Sequence, residues 1–213
     1  MTARSAYGRA SRLLAAWLVA CALVAACQSV PPVPTDRFHR LTEAAAPPVA
    51  VQEWTDGSIE VRELRAEGPY LDRAILFTRE GQTARVEPYR YDFWIYAPPH
   101  LIQQHMIGRL RASRLAPTIL EDDRGTDPAF VISGRIVRFE QTLGSGTAQS
   151  DVELELEVAS AGQRRLLMRN TYRAVEPAAD RSVDAFVQST GRALDRIYAA
   201  FSKDLISIPS RSR

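Results

Sequence analysis

"DVELELEV", residues 151–158, alternates without a miss. Val152, Leu154, Leu156 and Val158 fall on one side, and Asp151, Glu153, Glu155 and Glu157 on the other. A period of two marks a strand with one buried and one wet face, the habit of antiparallel sheets. Its natural partner is "RRLLMRNTYR", residues 164–173. A three-residue loop, Ser160-Ala161-Gly162, with Gly162 at positive φ, predicts a hairpin. That loop sets Leu156 opposite Leu166 and Leu154 opposite Met168. It also places Glu157 beside Arg165 and Glu153 beside Arg169, so unlike charges meet. A slip of one residue spoils both sets.

The pattern extends outward from this hairpin. Upstream, Phe130, Ile132 and Ile136 predict a strand running through Phe139, followed by a flexible Gly144-Ser145-Gly146 loop. Downstream, Val183, Phe186, Val187, Thr190, Leu194, Ile197, Tyr198, Phe201 and Leu205 recur at i, i+3/i+4 spacing and predict a long amphipathic helix. Asp180 is placed to cap it. Earlier in the chain, Pro98-Pro99 suit the first turn of a helix, where N–H groups have no intrahelical partner. Leu101, Ile102, Met106 and Leu110 then keep helical spacing until Pro117 ends the segment. Thr118 to Leu120 read as a short strand leading into an acidic loop, Glu121–Asp127. Phe38-His39-Arg40-Leu41 predicts a first strand closed by the turn-like Ala46-Pro47-Pro48. Ile59–Leu64 and Ala74–Arg79 predict two more strands, and Glu80-Gly81 a turn into Ala84–Glu87. The expected fold class is α+β: a mostly antiparallel sheet with two main helices packed on one face. It occupies a single domain over residues 36–208, with 209–213 as a disordered tail.

The first residues carry a different message. Arg4, Arg9 and Arg12 make a basic start, and Leu13 to Val24 hold no charge. Ala25-Ala26 then supply small side chains immediately before Cys27. This is the layout of a secretory signal over residues 1–26. The apolar run is short of the roughly 20 residues that cross a bilayer, and Gln-Ser-Val-Pro-Pro follows it. Val24-Ala25-Ala26-Cys27 resembles the lipobox of bacterial lipoproteins, in which the cysteine receives a diacylglycerol and its freed amine is acylated. Leu18-Val19-Ala20-Cys21 fits by letters, but processing there leaves only a short apolar segment in front. The resemblance therefore implies Cys27 as the lipid attachment site, with long acyl chains such as palmitate holding the chain to a membrane. Gln28 after the cysteine, by the sorting rule of enteric-type bacteria, implies the periplasmic face of the outer membrane. Residues 27–35 are then an acylated cysteine and a Pro-rich tether, able to lift the domain some 25 Å from the lipid at about 3.1 Å per residue.

Charge excludes some classes. The formal net charge is +2, and loss of the three leader arginines takes the remainder slightly negative. Nucleic-acid binding gains no support. Of the basic residues only Lys203 is lysine. Processing also removes Cys21 and consumes Cys27, so no thiol remains for a disulfide or a metal. His100 and His105 are five apart and lie on different sides of a helix, which does not make a metal pair. Glu121-Asp122-Asp123 with Asp127 lacks the oxygen spacing and turn glycine of a Ca²⁺ loop. No nucleophile elbow or phosphate-binding glycine loop occurs. The row Glu153, Glu155, Glu157 imitates paired catalytic acids, but its strict alternation marks an outer strand face. The sequence predicts no enzyme, no catalytic residue, no metal and no cofactor. Trp54 and Trp94 leave a choice open. "EPYRYDFWIYAPP", residues 87–99, holds five aromatics, which either form a surface patch or pack under the following helix. The core reading is favoured for Tyr91, Phe93 and Trp94.

Several of these segments together resemble a known family, the auxiliary lipoproteins of MCE-type ABC transport systems. The resemblance spans roughly residues 37–207. It rests on Phe38-His39-Arg40-Leu41, on Pro69-Tyr70-Leu71-Asp72-Arg73 before the strand ending Thr78-Arg79, and on Trp94 before the Pro-opened helix. Phe130-Val131-Ile132 through Arg138-Phe139-Glu140, the hairpin and the closing helix follow in the family's order. The chain departs from the family where Ile95-Tyr96-Ala97 stand in place of an early acidic residue, and where His39 replaces an aromatic. The resemblance implies a non-catalytic subunit that docks an MCE-domain protein, with its ABC permease and ATPase, at the outer membrane. Homo-oligomerisation is left open. The candidate partner contact is the loop carrying Tyr70, Leu71 and Arg73, or a free sheet edge. The alternatives are a structural adaptor lipoprotein of another envelope assembly or secretion machine, and a lipid carrier with its own cavity.

Overall fold

The computed structural model describes residues 34–41, 53–121 and 127–209. The described residues from Asp36 onward form one compact unit. Cys21, Cys27, the Pro-rich tether up to Val33, the turn at 46–48, residues 122–126 of the acidic loop and the tail from Ser210 lie outside the described residues.

The spine of the fold is one long strand, β6 (Phe130–Leu143). At about 3.3 Å per residue it extends some 45 Å, long enough to serve two shorter strands along one edge. Its first residues pair in parallel with β2 (Ser58–Val61), Ile59 opposite Phe130. Its last residues pair in parallel with β3 (Ala74–Arg79), Phe77 opposite Gln141. β5 (Thr118–Glu121) extends the sheet beyond β2. On the other side, β4 (Glu87–Trp94) runs antiparallel to β3, and β1 (Arg37–His39) lies parallel to β4 at the margin. The opposite edge of β6 is taken along its whole length by β7 (Ala148–Ser160), which pairs in turn with β8 (Arg165–Pro177), both antiparallel. The eight-stranded sheet is mixed: antiparallel through its long strands, parallel where the short ones join. Two helices, α1 (Pro98–Ser113) and α2 (Val183–Ser207), complete the α+β fold.

The hairpin exists with the predicted facing but a different register. Leu156 lies opposite Asn170, Leu154 opposite Tyr172, Glu157 opposite Arg169 and Glu153 opposite Arg173. The turn is wider than expected, with Ser160 pairing Arg165, and a register shift follows at Leu167. Arg164, not Gly162, adopts the positive φ, at 50°. The displacement is four residues. From Met168 onward the even displacement keeps each side chain on its predicted face, so arginine still answers glutamate, whereas the shift at Leu167 turns Leu166 outward, 49% exposed, and sets Arg165 opposite Ser160.

Other boundaries move for local reasons. Helix α1 stops before Pro117 because Arg114 turns left-handed at φ 55°. Ser182, not Asp180, caps α2, its hydroxyl accepting from the Ala185 N–H at 3.1 Å. Asp180 instead accepts from the Ser182 N–H at 2.7 Å, and hydrogen bonding to the Ser182 side chain, then to its N–H, holds its carboxyl below the usual range. β4 starts at Glu87, past the predicted Ala84–Glu87 strand, and includes the aromatic run. β1 and β2 are shorter than expected, and β6 continues past Phe139 to Leu143.

All nine stripe residues of α2 are buried, as their spacing predicts. Thr190, the polar member, is satisfied by the Phe186 carbonyl and by Ser150 of β7 at 2.9 Å. The helices meet through Arg109–Asp195 at 2.7 Å, and the Tyr198 hydroxyl donates to the Ile102 carbonyl. Trp54 is core: its ring sits 4.5 Å from that of Phe130, and its indole N–H donates to the carbonyl of Ile208 just past α2. At Gly134 the pairing of β6 with β7 leaves no room for a side chain, since a Cβ there would stand 2.0 Å from the Glu155 carbonyl oxygen.

Candidate docking surface

Three segments converge at one end of the sheet, where β1 and β4 finish and β3 begins. The Trp94 N–H donates to the Arg73 carbonyl at 2.6 Å, and the Ile95 N–H to the His39 carbonyl at 2.8 Å. Trp94 itself is buried, its ring 5.3 Å from Phe139 and 5.9 Å from Phe186 of α2. Phe93 and Tyr91 are only half-buried. The aromatic stretch therefore divides between core and surface, because successive strand residues point to opposite faces.

Phe38, Leu71 and Tyr96 are each more than half exposed. Phe38 lies 5.9 Å from Phe93, with the Arg73 guanidinium 5.4 Å over its ring. Tyr96 meets His100 edge-on at 5.0 Å, and His100 is held by Glu63 at 2.9 Å. An exposed aromatic under a cation, stacked on half-buried Phe93 and flanked by other exposed apolar side chains, suits a protein contact better than isolated surface residues do.

Of the three residues expected to contact a partner, the structure separates one from the others. Tyr70 turns inward. It sits in the 3-10 turn Gly68–Leu71, half-buried, and its hydroxyl donates to Glu140 Oε2 at 2.6 Å. Burial, and then the Glu140 hydrogen bond, push its pKa well up. The bond begins a chain across the sheet. Arg138 reaches Glu140 at 2.8 Å and Asp151 at 3.5 Å, and Arg173 forks onto both Asp151 oxygens at 2.8 and 2.9 Å. Tyr70 is a clasp that holds its loop to the sheet, while Leu71 and Arg73 face solvent. Phe38, read from sequence only as a strand aromatic, joins them. Its place on a three-residue margin strand is what exposes it.

β1 is fastened by one buried carboxylate. Asp92 accepts from Arg37 at 2.7 Å and contacts His39 Nε2 at 2.8 Å, while His39 Nδ1 lies 3.5 Å from Asp184 at the start of α2. His39 thus bridges Asp92 and Asp184 through its two ring nitrogens, which a phenylalanine could not do. The glutamate row of β7 is also accounted for: Glu155 bonds Arg135, which holds its carboxyl below the usual range, and Glu157 bonds Arg169 at 2.9 Å. Among the described residues no three His, Cys, Asp or Glu side chains gather as a metal cage, and no helix is long and apolar enough to cross a membrane.

No curated protein sequence matches the chain. Among solved structures, a Xanthomonas campestris protein superposes with a TM-score of 0.67 at 12% identity, over 78% of this chain and 92% of its own. A second, uncharacterised crystal structure gives 0.57 at 11%, over 82% and 98%. A PelC dodecamer from Paraburkholderia phytofirmans gives 0.46 at 12%, over 71% and 92%. At such identities the likeness to the first two is one of fold. Sequence goes further: residues 39–201 match the model of the ABC-type transport auxiliary lipoprotein component, and the chain belongs to that family.

Proposed function

We propose that this chain is the lipid-anchored, non-catalytic accessory subunit of an MCE/ABC intermembrane lipid transport system, held by acyl chains on Cys27 to the periplasmic face of the outer membrane. Its task there is to dock the MCE-domain protein that works with the ABC permease and ATPase. The observation that carries this reading is the exposed Phe38–Leu71–Arg73–Tyr96 surface, built around the strand that the tether enters. A lipid anchor on residue 27, ten residues before the strand Arg37–His39, would keep the domain within a tether's length of the membrane, where a partner can be captured. The family membership supports a transport role.

The test is affinity purification of the full-length protein in mild detergent, with mass spectrometry of what accompanies it. The MCE protein with its permease or ATPase is the expected recovery. A Phe38→Ala/Leu71→Ala/Arg73→Ala variant with unchanged melting is expected to lose it. Recovery of other envelope proteins without these would overturn the transport role. Wild-type recovery by the triple variant would exclude this surface.

A further inference from the structure

β8 closes one margin of the sheet, and among the described residues it pairs with β7 alone. Thirteen residues of unpaired outer edge are unusual, since strands average five to six, and a bare edge invites another strand. Charge governs what can be added here. On one face Arg169 and Arg173 remain 54% and 53% exposed, although each is bonded inward to β7. On the other face α2 overhangs the edge: Arg192 donates to the Pro177 carbonyl, and Arg196 bonds Glu176 at 2.7 Å. The neighbouring carboxylates are turned in. Glu176 and Asp151 are buried, and Asp204 is held by the Tyr172 hydroxyl at 2.9 Å. A strand laid against β8 would meet arginine on both faces.

Two symmetric pairings with a second β8 are disfavoured by charge. Antiparallel pairing centred on Thr171 would set Arg169 against Arg173 of the other copy, and parallel in-register pairing would stack each arginine on itself. Like charges placed opposite destabilise a strand pair. The fold already contains a sequence that does fit: β7, on the inner edge, meets Arg169 with Glu157, and Arg173 with Asp151 and Glu153. We propose that the outer edge of β8, with the Arg192–Arg196 flank of α2, accepts an extended acidic segment of a partner protein as a ninth strand. Main-chain hydrogen bonds would supply affinity, and carboxylates at alternate positions would supply selection. The inference is independent of the transport role and holds for any partner carrying such a segment.

The probe is a synthetic peptide with the sequence of residues 150–159, SDVELELEVA, and a control peptide with its four acids replaced by lysine. Both are offered to the full-length protein in neutral detergent, followed by fluorescence anisotropy and by hydrogen exchange of β8. The acidic peptide is expected to bind, to weaken as salt rises, and to slow exchange of the β8 amides. An Arg169→Gln/Arg173→Gln variant should bind it roughly tenfold more weakly or worse, the equivalent of about 1.4 kcal/mol. If that variant melts early, Arg192→Gln replaces it, because Arg192 bonds the Pro177 carbonyl at the strand's end and stands 3.8 Å from Glu176, apart from the ion pairs with β7. Equal binding of the lysine peptide, or no protection of β8 by the acidic one, overturns the proposal. So does protection of β8 by phosphatidylglycerol vesicles in place of the peptide, which would make this edge a lipid-facing surface.

Discussion

At Gly134 the absence of a side chain lets two long strands lie against each other. A methyl group would have to displace the Glu155 backbone, not a flexible side chain, so relief requires bending β7. Gly134→Ala is therefore expected to destabilise by about 1–3 kcal/mol, lowering the melting temperature by roughly 2–12 °C for a domain of this size. Thermal unfolding followed by circular dichroism measures it. Tyr172 makes a second prediction, about pH. Burial, with the Asp204 carboxylate hydrogen-bonded to its hydroxyl, pushes the Tyr172 pKa up to about 12, against about 10 for an unfolded tyrosine. The folded state then holds a proton that the unfolded state has released. Its stabilising effect is complete below pH 10 and is lost as pH rises toward 12. Tyr70, Tyr89 and Tyr198 are shifted the same way. The urea midpoint should thus fall steeply through this window, and less steeply in Tyr172→Phe.

Among the elements, face was legible in the sequence and register was not. The alternation of 151–158 and the stripe of 183–205 state which side of each element is buried. Parity, however, is the same for a pairing displaced by two or four residues, so Glu157 can answer Arg165 or Arg169 equally well on paper. The turn decides between them. Four residues with Arg164 left-handed replaced the glycine-based loop, because a left-handed residue other than glycine leaves no trace in composition. The exposure of the proposed contact segment was legible to a similar degree. The segment Tyr70–Arg73 does lie at an exposed corner, but only a contact 70 residues away in sequence, Tyr70 to Glu140, reveals which side chain is structural. β1 is the element most dependent on such a contact. It is three residues long, and Asp92 supplies its side-chain fastening to both Arg37 and His39. Charge-assisted bonds to a buried carboxylate are shorter and stronger than neutral ones. Asp92→Asn should consequently speed amide exchange at Phe38 and His39 by roughly tenfold or more, while β6 and β7 keep their protection. Uniform acceleration across the sheet would instead mean that Asp92 supports the whole core.

For the molecule as a whole, the residues that fold and the residue proposed to anchor are separate. The compact unit begins at Asp36, and its core clusters residues from Trp54 to Leu205 without any thiol. Loss of the anchor should cost location, not fold. A Cys27→Ala variant is expected to leave the membrane fraction while the melting temperature of the domain stays unchanged; co-sedimentation with outer membranes and a thermal melt read the two separately. The consequence for partner capture follows from dimensionality. If Cys27 is acylated as proposed, the domain presents its surface at a high local concentration beside the membrane, and tethering of this kind can raise apparent affinity by about 10²–10⁴ without any new contact. The intrinsic dissociation constant of the purified soluble domain for its partner should therefore equal that of the anchored form, whereas co-purification from cells should fall sharply. If the soluble domain also binds weakly in isolation, the acylated segment itself belongs to the interface, and the docking surface extends past Phe38 onto the tether.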